Sequence, residues 1–367
     1  MELLLLILFA IFIISIVIQL FFVLYFFVRF LIYKSPDKSF NLPVSIIVCA
    51  KNEYDNISKF LTSILEQKYS DFEVILVDDQ SQDNSEYVLK ELANKYSHLN
   101  IVKIEQHIKK RVGKKFALTL GIKAAKNDYL VLTDADCMPS SNNWLSRMVS
   151  SFNNKEIVLG YGGYRKKKGL LNLIIRFDTF NIALQYLSFA LAGHTYMGVG
   201  RNLAYTRATF FNNKGFASHI LLPSGDDDLF IQEVATKDNI AIETHNESHT
   251  ISEPKETWKE WIFQRRRHIT TSQKYSLKFK FLLALWPLSQ LLFLTTSFIL
   301  LTYKVSFYVV LPLFIFRLFL FYILYYYSMR KLKSLDLLIW FPILEVIHII
   351  LQVIFVLLNF KNKPKGW

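Results

Sequence analysis

The chain is 367 residues long, 52% apolar and 16% aromatic, with a formal charge of +13 and only two cysteines, Cys49 and Cys137. This length accommodates one sizeable domain plus membrane segments, and two distant cysteines exclude a disulfide framework and point to a reducing compartment. The basic balance comes without any nucleic-acid motif, so it favours anionic lipid headgroups and Lys/Arg-rich cytoplasmic loops over nucleic acid.

Leu3 to Tyr33 is an almost unbroken apolar run. A bilayer-spanning helix needs about 20 such residues, so residues 1–34 read as a transmembrane anchor. The run lacks a basic n-region and a small-residue cleavage site, which argues against a signal peptide. Arg29, Lys34 and Lys38 follow it, and the positive-inside rule places the next domain in the cytoplasm.

Residues 43–254 turn soluble in composition. A strand is predicted at Val44–Ala50. A helix with Ile57, Phe60, Leu61, Ile64 and Leu65 on one face follows, with Asp55 or Asn56 as its N-cap. Strands near Val74–Val77, Ile101–Ile104 and Tyr129–Thr133 alternate with helices near Ser85–Tyr96 and Lys114–Lys126. That alternation predicts an α/β fold with a parallel sheet and ligands beyond the strands' carboxyl ends. Residues 170–193 are apolar but carry Asn172, Arg176, Asp178, Asn181 and Gln185, which suits a helix lying on the membrane or on the domain rather than spanning.

Carboxylates gather at those strand ends. Asp78 and Asp79 follow Val77, and Asp134 and Asp136 follow Thr133. Asp226-Asp227-Asp228 forms a third cluster, read either as a helix N-terminus or as an active-site turn. Oxygen ligands of this kind suit Mg²⁺ or Mn²⁺, and no zinc pattern or Walker loop is present. His245 and His249 are read as strand-like rather than as metal ligands. Residues 255–280 form a basic interfacial region, in which Gln264, Arg267 and His268 share a helix face and Trp258 and Trp261 suit a membrane interface. Residues 281–360 hold three further spans, near 281–302, 307–328 and 336–359. Basic clusters at two of their ends fit the cytoplasm, whereas Lys361, Lys363 and Lys365 fall on the opposite side. Glu345 and His348 lie mid-span, one helical turn apart; such residues are functional candidates by default, and the alternative, favoured reading is a paired, bundle-facing contact.

Taken in order, Val44–Glu53, Val77–Asp83, Gly113–Leu118, Thr133–Pro139, Gly225–Leu229 and Gln264–His268 resemble the membrane-bound family 2 glycosyltransferases. That branch includes cellulose, chitin, hyaluronan and poly-N-acetylglucosamine synthases and ceramide glucosyltransferase. The resemblance covers roughly residues 43–270 and the flanking spans, and it implies a GT-A fold and inversion at the anomeric carbon. It implies a UDP-sugar donor, with Ala50, Glu53, Asp78 and Asp79 on the nucleoside, and Lys114 on the diphosphate or uridine side. Asp134 and Asp136 match the DxD motif, with Asp136 the first choice as metal ligand. With Leu229 as anchor, Asp226 aligns with the catalytic base and Asp227 is the alternative register. Gln264 and Arg267 match the QxxRW motif, in which His268 replaces the usual Trp. The base motif reads Gly-Asp rather than Glu-Asp. Gly200, Arg201 and Asn202 match an acceptor-facing loop.

The expected activity is transfer of a hexose or N-acetylhexosamine to a lipid-linked or saccharide acceptor at the cytoplasmic membrane face. A processive polysaccharide synthase and a nucleotide-binding scaffold without transferase activity are the alternatives.

Overall fold

The computed structural model describes residues 2–36, 40–105, 113–222 and 224–361; Lys38, Lys363 and Lys365 lie outside them. Helix α1 (Glu2–Ile32) is followed by strand β1 (Val44–Ala50), helix α2 (54–65), β2 (Phe72–Asp78), α3 (Ser85–Lys95), β3 (Leu99–Lys103), α4 (Lys114–Ala124) and β4 (Tyr129–Asp134). Next come β5 (Cys137–Pro139), α5 (Trp144–Ser150), β6 (Ile157–Leu159), β7 (Gly162–Tyr164), α6 (Leu170–Leu191), β8 (Leu203–Thr206) and α7 (Arg207–Asn212). The chain continues through α8 (Asp228–Val234), β9 (Ile240–Ile242), β10 (Thr250–Ser252) and α9 (Trp258–Ser272). It finishes with α10 (Leu277–Thr302), α11 (Phe307–Lys331) and α12 (Phe341–Lys361).

A seven-stranded sheet of order β3-β2-β1-β4-β8-β6-β9 carries the domain, beside a three-stranded sheet β5-β10-β7. Strands β1 to β4 are parallel, as the βα alternation predicts, but β8 runs antiparallel to both β4 and β6, so the sheet is mixed. All seven residues of β1 are buried, which explains why its sequence is a continuous apolar run without alternation. Ile46 and Val48 pack with α2 and α5, whereas Ile47 and Cys49 face α4 and a core shared with α1, α6 and α10 to α12. Gly121 of α4 permits the close approach on that second face, since a Cβ there would meet Ile47 and Val77 methyls at 2.8 and 2.9 Å.

The face predicted for α2 is the buried one, but neither Asp55 nor Asn56 caps the helix. The helix starts after Glu53, without a side-chain cap, and a π-turn over Ile57–Leu61 keeps the apolar face inward.

Four helical stretches are long and apolar enough to cross a membrane: Glu2–Ile32, Leu277–Thr302, Phe307–Lys331 and Leu335–Asn359. Helix α6 is not among them. It lies between domain and bundle, with Asn172, Arg176 and Asp178 all buried. Arg176 makes a two-pronged pair with Asp336 at 2.6 and 2.8 Å, and Asp178 forms an ion pair with Arg265 at 2.8 Å and a hydrogen-bonding contact with His348 at 3.1 Å. Glu345 is paired with Arg317, whose guanidinium also donates to Gln19 and stacks 3.7 Å from the Phe321 ring centroid. Both mid-span titratable residues are therefore bundle-facing and partnered.

Candidate active site

The parallel register places Ala50 opposite Asp78 and Cys49 opposite Asp134, so three strand ends form one row. Two loops above that row are stitched together. Asn52 N–H donates to Ser81 Oγ, Gln82 N–H to Asn52 Oδ1, and Tyr54 N–H to Asp83 Oδ2, all within 2.8–2.9 Å. Asp78 shapes the turn by accepting Ser81 N–H at 3.0 Å. Asp79 is fully buried; Lys51 Nζ is 3.8 Å away, and neither carboxylate oxygen accepts a hydrogen bond from a described residue. Burial raises its proton affinity, which Lys51 partly offsets. Glu53 is raised for the same reason, although Asn56 donates to it at 2.5 Å. A buried carboxylate whose nearest cation stands 3.8 Å away, beyond hydrogen-bond reach, can accept a ligand's hydroxyl or N–H donors.

Lys114 opens α4 directly after Gly113, whose φ of +125° is open to glycine but strained for other residues. Its Nζ lies 2.7 Å from Asp134 Oδ1 and 3.0 Å from Asp226 Oδ2. Burial works against the ammonium, but Asp134, Asp226 and Asp227 outweigh it and hold Lys114 well above the ordinary lysine range. The same contact holds Asp226 below the usual carboxylate range despite its burial.

The acidic triplet divides its work. Asp227 is the N-cap of α8: Oδ1 accepts Asp228 N–H at 2.7 Å and Oδ2 accepts Gly200 N–H at 2.9 Å. Burial, then Asp226 and Asp228, push Asp227 up to about 7. Asp228 is turned away from Lys114 and receives Thr271 Oγ1 and, at 2.8 Å, Tyr275 Oη. Both readings of the triplet, helix N-terminus and cleft carboxylate, therefore describe the same turn. A Cβ on Gly200 would sit 3.2 Å from Lys114 Nζ and 3.7 Å from Asp226, so this glycine keeps the centre of the cleft open.

Asp134, Asp136 and Cys137 each offer a ligand atom within 4.8 Å of one another. Two carboxylates fit a hard divalent ion. The thiol does not contribute to that fit: Cys137 is fully buried, Sγ lies 3.0 Å from Ser252 Oγ, and burial beside Asp136 pushes its proton affinity well up. Arg201 lies beside this cluster, stacked 4.4 Å from the Tyr164 ring centroid. Gln264 Nε2 donates to the same tyrosine's hydroxyl at 3.3 Å, which brings α9 to the DxD side of the cleft.

Residues 45–210 match the profile described as glycosyl transferase family 2. The chain carries a family 2 glycosyltransferase domain. A glycosyltransferase AglE of Haloferax volcanii is 33% identical over 118 residues, 32% of this chain and 37% of that protein. A beta-monoglucosyldiacylglycerol synthase of Trichormus variabilis is 28% identical over 131 residues, 35% of this chain and 26% of that protein. The match thus spans well under half the length of these curated relatives. Among solved structures, the mannosyltransferase PcManGT from Pyrobaculum calidifontis, in complex with GDP-Man and Mn²⁺, aligns with a TM-score of 0.57 at 19% identity, covering 94% of this chain and 99% of that one. That likeness establishes the GT-A fold, including the flanking helices.

The sequence-predicted residues do not all reach the cleft. Asp134, Asp136, Lys114, Asp226, Asp227 and Gly200 converge, with Arg201 and Gln264 at the rim. Arg267 has its Nε buried without a hydrogen-bond partner among the described residues, and His268 is exposed. Asn202 does not face the cleft. It is fully buried, donating to the carbonyls of Tyr161 and Ser248 and accepting from Trp144 Nε1, so its side chain ties strands together and the expected acceptor contact does not carry over. Trp261 likewise packs against Phe355 at 5.6 Å in the core, leaving only Trp258 exposed. His249 is buried on Tyr161 with Nε2 at the Thr244 carbonyl, and a 3₁₀ turn, not a strand, separates it from His245.

The sequence reading missed Tyr164, Thr271 and Tyr275. Nothing in local sequence marks Tyr164. Thr271 and Tyr275 are four residues apart, a spacing that sets both beside Asp228 from the end of α9.

Proposed function

We propose that this chain is a membrane-bound, inverting glycosyltransferase that moves a hexose or N-acetylhexosamine from a UDP-sugar to a lipid-linked acceptor at the cytoplasmic face. The observation that carries the reading is the shared contact of Lys114 with Asp134 and Asp226, which unites the DxD and acidic-turn motifs in one cleft. The diacylglycerol-linked product named for one relative supports a lipid acceptor, and the nucleotide sugar and Mn²⁺ named for the fold neighbour support a nucleotide donor and a divalent ion.

Asp136, with Asp134, would hold Mg²⁺ or Mn²⁺, which when bound supplies neutralisation of charge on the departing diphosphate. Asp79 and Glu53 bind the nucleoside end from the stitched loops. Lys114 and Arg267 contribute fixed positive charge where the leaving group's negative charge develops. Asp226 serves as the base. An acceptor hydroxyl attacks the anomeric carbon from the face opposite the diphosphate, the carbon–oxygen bond to the diphosphate breaks with its electron pair, and the hydroxyl proton passes to Asp226. Geometry favours Asp226 over Asp227, because both oxygens of Asp227 already accept backbone N–H groups while Asp226 looks onto the cleft.

Purified full-length protein, supplied with a panel of UDP- and GDP-sugars and either Mg²⁺ or Mn²⁺, tests this. Metal-dependent release of one nucleoside diphosphate, with a discrete glycosylated lipid by mass spectrometry, is the expected result. A product ladder would replace the single-transfer reading with a polymerising one, and no release with any donor would remove the transferase reading.

A further inference from the structure

A groove beside the catalytic turn carries chemistry that transfer between water-soluble partners does not need. Residues 217–222 run along the outside of α8 and display Leu221 at 94% and Ile220 at 48% exposure. This display is braced. The buried Lys115 Nζ donates to the carbonyls of His219 at 2.6 Å and Leu222 at 3.3 Å, while Ser218 and His219 both engage Glu233. A cavity of about 450 Å³ lies behind the segment, bordered by Ile220, Leu221, Leu222, Leu229, Glu233 and Lys274.

Its position fixes what can reach it. Lys274 comes three residues before Leu277, where the apolar helix α10 begins, and Leu277 and Phe281 on that helix are 82% and 65% exposed. Ser276 N–H donates to Gln232 Oε1 at 3.1 Å, and Tyr275 reaches Asp228. The groove is therefore level with the end of a membrane span and one turn of α8 from the acidic triplet. Glu233 is engaged by Ser218 and His219, whereas Lys274 has no acidic partner among the described residues. Ile220, Leu221, Leu222 and Leu229 give the groove an apolar side, Ser218, His219, Gln232 and Glu233 give it a polar one, and Lys274 stands at the rim. An apolar slot with a polar, cation-bearing edge at the end of a membrane span matches a hydrocarbon chain whose polar headgroup lies along that edge.

We propose that the groove between residues 217–222 and α8 seats the hydrocarbon chain of a membrane lipid and delivers that lipid's headgroup to Asp226. The acceptor role rests on the lipid-acceptor reading above; the seat itself does not.

The full chain in nanodiscs of phosphatidylcholine and phosphatidylglycerol, bearing a nitroxide at Leu221→Cys, tests the seat, since Cys49 and Cys137 are both buried. The label is expected to collide with oxygen and to be shielded from a water-soluble nickel chelate, relative to a label at Tyr87→Cys, a position 73% exposed on α3. Equal access of the chelate at both positions overturns the seat. With radiolabelled donor and a total lipid extract, Leu221→Glu and Lys274→Gln are expected to raise the KM for lipid while leaving acceptor-free donor hydrolysis unchanged. Shielding with an unchanged KM overturns delivery and reduces the segment to a bulk-lipid contact. A wild-type product that contains no lipid overturns the lipid-acceptor reading, independently of what the nitroxide reports about the seat.

Discussion

Asp134 and Asp226 are drawn together by one ammonium, with Lys114 Nζ 2.7 Å from the first and 3.0 Å from the second. Each carboxylate leaves a different element, so the contact closes the cleft across the sheet edge. Removing the cation leaves Asp226 among like charges, which raises its proton affinity. Lys114→Met is therefore expected to move the acid limb of the kcat/KM profile to higher pH and to cut kcat/KM by about 10²-fold, on the order of one lost electrostatic contact to the transition state. A pH profile of nucleoside diphosphate release checks both, and an unmoved acid limb sinks the argument.

The base assignment separates cleanly by mutation. Asp226→Asn is expected to lower kcat by about 10²–10⁴-fold, the usual contribution of a general base, with donor affinity by calorimetry little changed. Asp227→Asn keeps an acceptor for Gly200 N–H and should cost less. Near-normal turnover in both variants would remove the triplet from the chemistry.

Asp227 also gives stability a pH dependence. Its folded proton affinity stands near pH 7 through burial beside Asp226 and Asp228, against about 3.9 for an unfolded aspartate. The folded state then binds more protons between those values, so the contribution is full below about pH 4 and is lost as pH rises through about 7. Melting temperature in detergent is expected to fall over that window in the wild type, and the slope should flatten in Asp227→Asn. A slope that persists unchanged assigns the dependence to other groups.

The metal set makes an asymmetric prediction. Asp136→Ala should abolish Mn²⁺ binding measured by electron paramagnetic resonance, whereas Cys137→Ser should retain it, because the thiol is buried against Ser252 Oγ and a hard divalent ion prefers the carboxylate oxygens. Loss of Mn²⁺ in Cys137→Ser would make the thiol a ligand.

Much of this architecture is legible in sequence because strands β1, β2 and β4 bury both faces and so appear as apolar runs, and β2 and β4 end in Asp78 and Asp134. What escaped has physical reasons. Strand β8 is four residues long, too short for its direction to be read, and its antiparallel pairing with β4 depends on the chain returning through α6. Asn202 looks like a cleft residue by its neighbours Gly200 and Arg201, yet it sits in the bend before β8 with its side chain turned inward, where Gly160 makes room for its amide. Trp261 is covered by Phe355 of α12, a contact made far along the chain. Polar residues in the apolar run 170–193 correctly exclude a span, but their partners, Asp336, Arg265 and His348, lie on other elements.

The last of those pairs links α12 of the helical bundle to α6, which also pairs with α9. Asp178 of α6 is buried, ion-paired with Arg265 of α9 at 2.8 Å and in contact with His348 of α12 at 3.1 Å. Burial opposes its charge, but Arg265 and His348 outweigh it and hold Asp178 below the ordinary carboxylate range. Arg265 is adjacent to Gln264 and two residues from Arg267, so this carboxylate orients the helix that carries both. Removing one partner of a buried ion pair leaves the other uncompensated, at a cost of about 3–5 kcal/mol. Asp178→Asn is expected to lose about 3 kcal/mol, somewhat under the full effect because Arg265 keeps partial access to solvent. Arg265→Met, which leaves the buried carboxylate with His348 alone, should cost a similar amount. The double variant should cost less than the sum of the two, by the coupling that a double-mutant cycle measures. Turnover should fall with helix position while donor binding at Asp79 holds. Thermal unfolding of the three variants in the same detergent, with strictly additive losses, would mean that Asp178 and Arg265 act independently and that the bundle does not position α9 through them.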